Sequence, residues 1–274
     1  MLDSRKNKGN HRDVIGLIPA GGQATRIAPL PCSKELYPIG FQSLNEEGTV
    51  RPKVVTHYLL EKMCFAGITK AYIVLRDGKW DIPAYFGDGK MLNMHLAYLM
   101  MRLPFGVPYT IDQAYPFVQD AMVAFGFPDI IFKPDDAFEQ LLTKQAKTNA
   151  DVVLGLFPVD EPQKWDMVDI DDNCRIRQII IKPPQTHLRY TWIIAVWKPV
   201  FTKFIHEYLS KAQVTKKHIN AGHEASGESE LFMSDIIQRA IDNDMQVESV
   251  LFPDNTCLDI GTPADLAKAV RELS

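Results

Sequence analysis

The sequence contains no apolar run that could cross a membrane and no excess of basic residues. A membrane-spanning helix needs about 20 consecutive apolar residues, and no stretch of the chain approaches that length. The formal net charge is −4, whereas a nucleic-acid-binding domain usually carries a basic face. These absences predict a soluble, cytoplasmic protein with no membrane and no nucleic-acid partner. Such a protein meets an anionic substrate with a few placed cations, because its overall field is not positive.

Cysteine is also scarce. The four cysteines lie far apart and without metal-ligand spacing, so reduced thiols are the simplest interpretation. Residues 1–13 contain basic side chains with no apolar run behind them, and we interpret them as a flexible tail, not a signal peptide. Hydrophobic residues make up 46% of the chain, enough for a large core without a disulfide or a structural metal. With no internal repeat and no clear linker, residues 14–274 are expected to form a single domain.

The order of apolar runs indicates an α/β fold. Residues 14–18 have the pattern of a buried strand, residues 54–66 that of a helix, and residues 71–75 that of a second strand. This βαβ order predicts a mostly parallel, Rossmann-like central sheet flanked by helices, with the ligand cleft at the carboxyl ends of its strands. Three strand-like runs between residues 167 and 197 have no helix between them and predict a small mixed β excursion. A helix is expected near residues 117–124, and a mobile polar loop over residues 211–229.

The first predicted strand runs into a glycine-rich loop with two cations. Gly21 and Gly22 let the backbone approach a ligand, and the guanidinium of Arg26 suits phosphate oxygens. Lys34 follows eight residues after Arg26. Neither a Walker A loop nor the dinucleotide-binding fingerprint is present. Two cations on one loop favour triphosphate binding, and a tight turn with no ligand is the alternative.

This loop and several later motifs resemble those of the sugar-1-phosphate nucleotidylyltransferases, most closely the glucose-1-phosphate thymidylyl- and uridylyltransferases. The loop resembles the family pattern Gly-x-Gly-Thr-Arg, then Pro, then Lys-x-x-x-Pro. The resemblance extends over nearly the whole chain, through residues 53–68, the Gly-Asp-Gly turn at 87–89, Gln113-Ala114, Lys182-Pro183 and the closing Leu-Asp-x-Gly-Thr-Pro at 258–263. It implies a nucleotidyltransferase fold and a transferase that joins a nucleoside triphosphate to a sugar 1-phosphate and releases pyrophosphate, with dTTP or UTP favoured.

The resemblance also implies roles for individual residues. Arg26 would steady the α-phosphate and the leaving pyrophosphate, Lys34 would bridge the two substrates, and Lys182 would hold the sugar phosphate. Mg²⁺ would be held by Asp129 and Asp259, although Asp129 could also be an ordinary loop aspartate. The implied nucleotide-binding residues are Ala20, Gly21, Gly22, Gln23, Thr25 and Gln113.

The chain departs from the family pattern at positions that recognise the base and the sugar. The departures are Ala24, Phe105, Thr110, Ile181 and Ile193. Ala24 replaces the second glycine of the loop, where a left-handed backbone would make a methyl group unfavourable. The phosphate and metal residues largely remain, which predicts conserved chemistry with altered selectivity. A non-catalytic homologue that binds a nucleotide or sugar nucleotide is the alternative function, and a homo-oligomer is compatible with either.

Overall fold

The computed structural model describes residues 14–43, 49–101, 106–171, 174–219 and 231–273. Its strands are β1 (Val14–Ala20), β2 (Pro38–Ser43), β3 (Val50–Val54), β4 (Lys70–Arg76), β5 (His95–Met101), β6 (Met122–Gly126), β7 (Ile130–Phe132), β8 (Val152–Pro158), β9 (Met167–Ile170), β10 (Ile176–Ile180), β11 (Tyr190–Trp197), β12 (Val247–Leu251) and β13 (Cys257–Asp259). Its α-helices are α1 (Val55–Phe65), α2 (Asp81–Phe86), α3 (Val107–Asp112), α4 (Tyr115–Val118), α5 (Ala137–Thr148), α6 (Pro199–Ile219), α7 (Met233–Asp242) and α8 (Pro263–Leu273).

The main sheet has a parallel half around β1. Strand β1 pairs in parallel with β4 and β6, and β4 pairs in parallel with β5. Strand β11 runs antiparallel to β6, β8 and β9, while β12 pairs in parallel with β8. Strands β9 and β10 form an antiparallel extension beside β11. The predicted fold class is therefore confirmed, including the mixed excursion.

Both faces of this sheet are buried. Successive side chains of a strand point to opposite faces, so neighbouring residues of β1 belong to two different core clusters. Ile18 packs in one core cluster with Leu59 of α1 and Leu141 of α5. Its neighbour Leu17 packs in a second cluster with residues of α6 and α7, such as Phe201. Strands apolar on both faces are typical of parallel sheets covered by helices. This explains why β1 and β8 are nearly continuous apolar runs.

Two small sheets lie beside the main one. Strands β2 and β3 form an antiparallel hairpin, and β7 pairs antiparallel with β13. Helix α8 packs near them through Ala269, in a third cluster with Ile131 and Leu258. The β7–β13 pairing brings the second half of the chain to the segment that follows β6.

Two expectations about helices are wrong. The helix expected near residues 117–124 ends at Val118, and residues 122–126 form β6, whose apolar side chains fill both faces of the sheet. The loop expected over residues 211–229 is helical up to Ile219, because α6 continues through this polar stretch.

Residues 220–229, the tail over residues 1–13 and Phe105 lie outside the described residues. The single-domain organisation stays a prediction. Within the described ranges, no helix combines the length and the apolar composition needed to cross a membrane.

Candidate functional site

A cavity of about 670 Å³ opens at the carboxyl ends of the parallel strands. The loop after β1 lines one side of it, and Phe127 and Asp129, which follow β6, line another. A volume of this size suits a ligand as large as a nucleotide. The predicted site residues in its lining are Gly21, Gly22, Gln23, Thr25, Arg26, Lys34 and Asp129. Ala20 lies just before them and is buried at the end of β1.

The glycine loop presents free backbone donors to this cavity. Within the part of the chain that the structure describes, the N–H groups from Gly22 to Arg26 donate to no protein acceptor. Successive unpaired N–H groups form a concave anion-binding surface. The left-handed residue of the loop is Ala24, whose φ is +53°. A methyl group therefore occupies the loop position whose backbone conformation favours glycine.

The ammonium of Lys34 forms an ion pair with the carboxylate of Asp129. The two side chains come from segments 95 residues apart and are 14% and 15% exposed. Burial acts to lower the pKa of Lys34, but the charge and hydrogen bond of Asp129, together with the charges of Glu35 and Asp259, raise this pKa above its ordinary value. Burial likewise opposes ionisation of Asp129, yet the charge and hydrogen bond of Lys34, with smaller help from a backbone hydrogen bond and from Lys79, hold the pKa of Asp129 below its ordinary value. The pair is therefore charged on both sides.

The β7–β13 pairing places Asp259 beside Asp129. Asp259 lies opposite Ile130, the residue after Asp129, in the antiparallel register. Burial, followed by the negative charge of Asp129, raises the pKa of Asp259 to about 6, against the opposing charges of Lys34 and Arg26. Two carboxylates and two cations thus lie within electrostatic reach of one another. Asp259 lines a smaller cavity of about 120 Å³, and Arg26 lines both cavities.

Gly261 allows Arg26 and Asp259 to approach each other. Its N–H donates to Oδ1 of Asp259 at 2.9 Å. A Cβ at this position would lie 2.8 Å from Nη2 of Arg26 and 2.8 Å from Oδ2 of Asp259, closer than Cβ atoms come in practice. Glycine is therefore required here for space.

Lys182 and Gln113, two predicted site residues, line neither of these two cavities. Lys182 is exposed, and its Nζ lies 4.6 Å from the ring centre of Phe232, next to the cavity residue Leu231. Gln113 is exposed at the end of α3, where its Nε2 donates to the carbonyl of Tyr109 at 3.3 Å. The structure brings neither side chain together with Lys34 and Asp129.

Sequence reasoning missed part of the cavity wall. Tyr109 of α3 faces the cavity together with Tyr208 and Ala212 of α6. Thr110, a departure from the family pattern, also lines it and donates from Oγ1 to the carbonyl of Gly106 at 3.1 Å. The polar composition after residue 210 concealed the extent of α6 and its place in the cavity wall.

Sequence reasoning also missed the polar contacts beneath the Lys34 loop. Glu35 lines the cavity, and its Oε1 accepts a hydrogen bond from Nζ of Lys79 at 2.6 Å. The hydroxyl of Thr56 lies 2.9 Å from the carbonyl of Glu35 and 3.1 Å from that of Pro128. Thr56 thereby connects the segments that carry Lys34 and Asp129. The signal available in the sequence is the position of Lys79, three residues after the end of β4, a strand of the parallel half.

The parallel half-sheet with a glycine loop at the end of its first strand defines a Rossmann-like α/β protein. The chain belongs to the nucleotidyl transferase family, whose model matches residues 15–274. The family predicted from the sequence motifs is therefore confirmed.

Several named proteins are similar to this chain. The low-salt glycan biosynthesis nucleotidyltransferase Agl11 of Haloferax volcanii is 24% identical over 259 residues, which cover 93% of this chain and 64% of that protein. A glucose-1-phosphate thymidylyltransferase of Streptomyces antibioticus is 26% identical over 259 residues, covering 93% and 65%. A mannose-1-phosphate guanylyltransferase of Mycobacterium tuberculosis is 29% identical over 167 residues, covering 60% and 42%. The chain spans slightly less than two thirds of the length of the first two.

Solved structures share the fold. A Bacillus anthracis protein described as a candidate glucose-1-phosphate thymidylyltransferase superposes with a TM-score of 0.76 at 18% identity, covering 95% of each chain. The inositol-1-phosphate CTP transferase of T. maritima gives a TM-score of 0.68 at 18% identity, covering 94% of each chain. At this identity the likeness supports the fold alone.

Proposed function

We propose that this chain is a nucleotidylyltransferase that joins a nucleoside triphosphate to a sugar 1-phosphate and releases pyrophosphate. The observation that carries the proposal is the grouping of Arg26 and Lys34 with Asp129 and Asp259 beside the free N–H groups of the glycine loop. Family membership and the names of the similar proteins support it.

The reaction brings two anionic substrates together, so the cations have distinct tasks. An oxygen of the sugar phosphate attacks the α-phosphorus in line, and the bond from that phosphorus to the bridging oxygen breaks as pyrophosphate leaves. Arg26 neutralises the α-phosphate and the leaving group, and Lys34 orients the nucleotide against the sugar phosphate. Lys182 holds the sugar phosphate, which requires its side chain to leave the ring of Phe232 and turn towards the cavity.

The two aspartates fit a divalent cation. Mg²⁺ is usually held by one or two carboxylates together with phosphate oxygens and water. The carboxylates of Asp129 and Asp259 repel each other, as the raised pKa of Asp259 indicates, and a shared cation would relieve that repulsion. Bound there, Mg²⁺ would supply positive charge at the phosphoryl oxygens. Lys34, which forms an ion pair with Asp129, supplies a further positive charge beside the two carboxylates.

Pyrimidine nucleotides are the proposed triphosphates. The motifs resemble the thymidylyl- and uridylyltransferases most closely, and several similar proteins are named thymidylyltransferases. A guanylyltransferase and a CTP transferase also occur among the relatives and neighbours. The base would lie against Tyr109 and Thr110, which line the cavity on the side of α3.

A pyrophosphate-release screen tests the function. ATP, GTP, CTP, UTP and dTTP are each combined with glucose, galactose and mannose 1-phosphates in the presence of Mg²⁺. We expect turnover, with dTTP or UTP fastest. Asp259→Asn keeps the side-chain shape but removes one charge, so the rate should fall about a hundredfold, as for loss of one strong electrostatic stabiliser. Cys32→Ser, a matched change on the Lys34 loop, should change the rate little.

Two results would contradict the proposal in different ways. A purine nucleotide that turns over fastest would overturn the base assignment and leave the reaction intact. A parent protein that releases no pyrophosphate in any combination, yet binds a nucleotide in calorimetry, would show that the chain is a binding protein on a transferase fold.

A further inference from the structure

A buried ion pair joins Glu35, which lines the cavity, to Lys79, which lies outside the cavity lining. Lys79 is 5% exposed and Glu35 is 1% exposed, and their charged groups are 2.6 Å apart. Removing two charges from water carries a large desolvation penalty, which the attraction within the pair only partly offsets. Such a pair contributes little to stability compared with apolar side chains of the same size, so its presence calls for a functional explanation.

The carboxylate of Glu35 has two cations within electrostatic reach. Burial raises the pKa of Glu35, and the charge of Lys79, followed by that of Lys34, acts to lower it. Its Oε1 is bound to Lys79, whereas its Oε2 is buried without a hydrogen-bond partner among the described residues. Without Lys79, the carboxylate of Glu35 would still be under the positive charge of Lys34, the preceding residue in the chain.

The segment that carries Lys79 also fixes the loop that carries Lys34. Asp81 accepts two hydrogen bonds from Ser33, one from its backbone N–H and one from its hydroxyl, each at 2.7 Å. Residues 79–81 therefore contact both chain neighbours of Lys34, namely Ser33 and Glu35. Lys79 also helps to lower the pKa of Asp129, so its charge extends to the partner of Lys34.

We propose that Lys79 is a positioning residue that neutralises Glu35 and thereby keeps Lys34 directed at Asp129 and at substrate phosphates. The inference rests on the proposed function, since it assigns a task to Lys34. With Lys79 absent, the buried carboxylate of Glu35 would compete for the ammonium of Lys34 and withdraw it from the phosphates.

The test removes the cation first and then the competing carboxylate. Lys79→Met should lower kcat/KM about a hundredfold, as expected when a catalytic group is displaced by about 1 Å. Adding Glu35→Gln to Lys79→Met removes the competing charge and should restore kcat/KM to within about tenfold of the parent, as for a site with one hydrogen bond altered. The affinity for inorganic pyrophosphate, measured by calorimetry, should fall and recover in parallel.

Lys144→Met is the matched control. Lys144 pairs with Glu248, which is 7% exposed and lies on β12, outside the cavity lining. This variant also leaves a buried glutamate without its lysine, so it should lower the melting temperature but leave kcat/KM and pyrophosphate affinity near those of the parent. Circular dichroism establishes that each variant is folded before its activity is compared.

Several outcomes would overturn the inference. Equal impairment of Lys79→Met and the double variant would mean that Lys79 contacts substrate or serves structure alone. Near-parental activity of Lys79→Met would mean that Glu35 does not compete for Lys34. If Lys79→Met does not fold, the double variant decides: folded and active supports the inference, and folded but inactive refutes it. If the parent binds pyrophosphate without turnover, the proposed function fails, and the pyrophosphate affinities still decide the role of Lys79.

Discussion

The substitution Gly261→Ala tests the site, because it adds a single methyl group between Arg26 and Asp259. The Cβ of Gly261→Ala would lie 2.8 Å from both Nη2 of Arg26 and Oδ2 of Asp259, and ordinary contact begins at 3.4 Å. Each group must therefore move by about 0.6 Å, or the backbone must shift by a similar amount. Since a displacement of about 1 Å can reduce the rate about a hundredfold, we expect Gly261→Ala to lower kcat about tenfold or more.

The assay is pyrophosphate release at saturating substrates, repeated over a range of Mg²⁺ concentrations. A displaced Asp259 should also raise the Mg²⁺ concentration required for half-maximal rate. Gly155→Ala is the control, because its Cβ would meet Ile194 at 2.6 Å inside the sheet, outside the cavity lining. It should lower stability but keep the kcat of the folded protein. A Gly261→Ala protein with parental kcat and parental Mg²⁺ dependence would refute the reasoning.

Three further expectations concern Ala24, Lys34 and His57. Ala24→Gly should leave the free energy of unfolding unchanged or raise it by up to about 1 kcal/mol in urea unfolding. Glycine removes the steric cost of the left-handed backbone at this position, but its greater entropy in the unfolded chain offsets part of that gain. A clear loss of stability would contradict this expectation. Lys34→Met should raise the affinity of the protein for Mn²⁺ without nucleotide, because Asp129 then lacks its competing cation. Electron paramagnetic resonance measures this affinity, and unchanged or weaker binding would argue against a metal site shared by Asp129 and Asp259. Burial, followed by the positive charges of Lys53 and Arg51, lowers the pKa of His57 from 6.5 to about 4. Between these two pH values, the unfolded chain therefore binds a proton at His57 that the folded chain does not bind. Stability should fall by up to about 3 kcal/mol as pH drops from about 6.5 to about 4, and His57→Gln should remove that part of the pH dependence in urea unfolding.

The parts of the fold that the sequence predicts well are those with a strong local pattern. The buried runs of β1, β4 and β8 and the helical face of α1 are visible without tertiary information, because burial on both faces or along one face sets their periodicity. Helix α6 was only partly predictable, since its polar residues beyond position 210 resemble those of a loop. The sequence predicts a helix over part of β6 because the apolar run of this strand is short, and over so few residues periodicity does not distinguish a strand from a helix.

The same distinction applies to the candidate site, where residues on one continuous stretch are predictable and residues joined by tertiary contacts are not. The glycine loop, Arg26 and Lys34 lie on one continuous stretch with a recognisable pattern. The pair of Glu35 and Lys79 joins residues 44 positions apart, and only the packing of β4 beside β1 brings them together. No local pattern marks such a pair. The position of Lys182 over Phe232 likewise depends on side-chain contacts that a linear motif does not contain.

The β7–β13 pairing has a consequence for the order in which the candidate site is assembled. The glycine loop, Lys34 and Asp129 all belong to the first half of the chain, whereas Asp259 is supplied by a short strand near residue 259 that docks on β7. A chain still on the ribosome can complete β1 and β6 while its two-carboxylate centre is only half assembled. Under the proposed function, the two-carboxylate centre is complete only after β13 has been synthesised and has paired with β7.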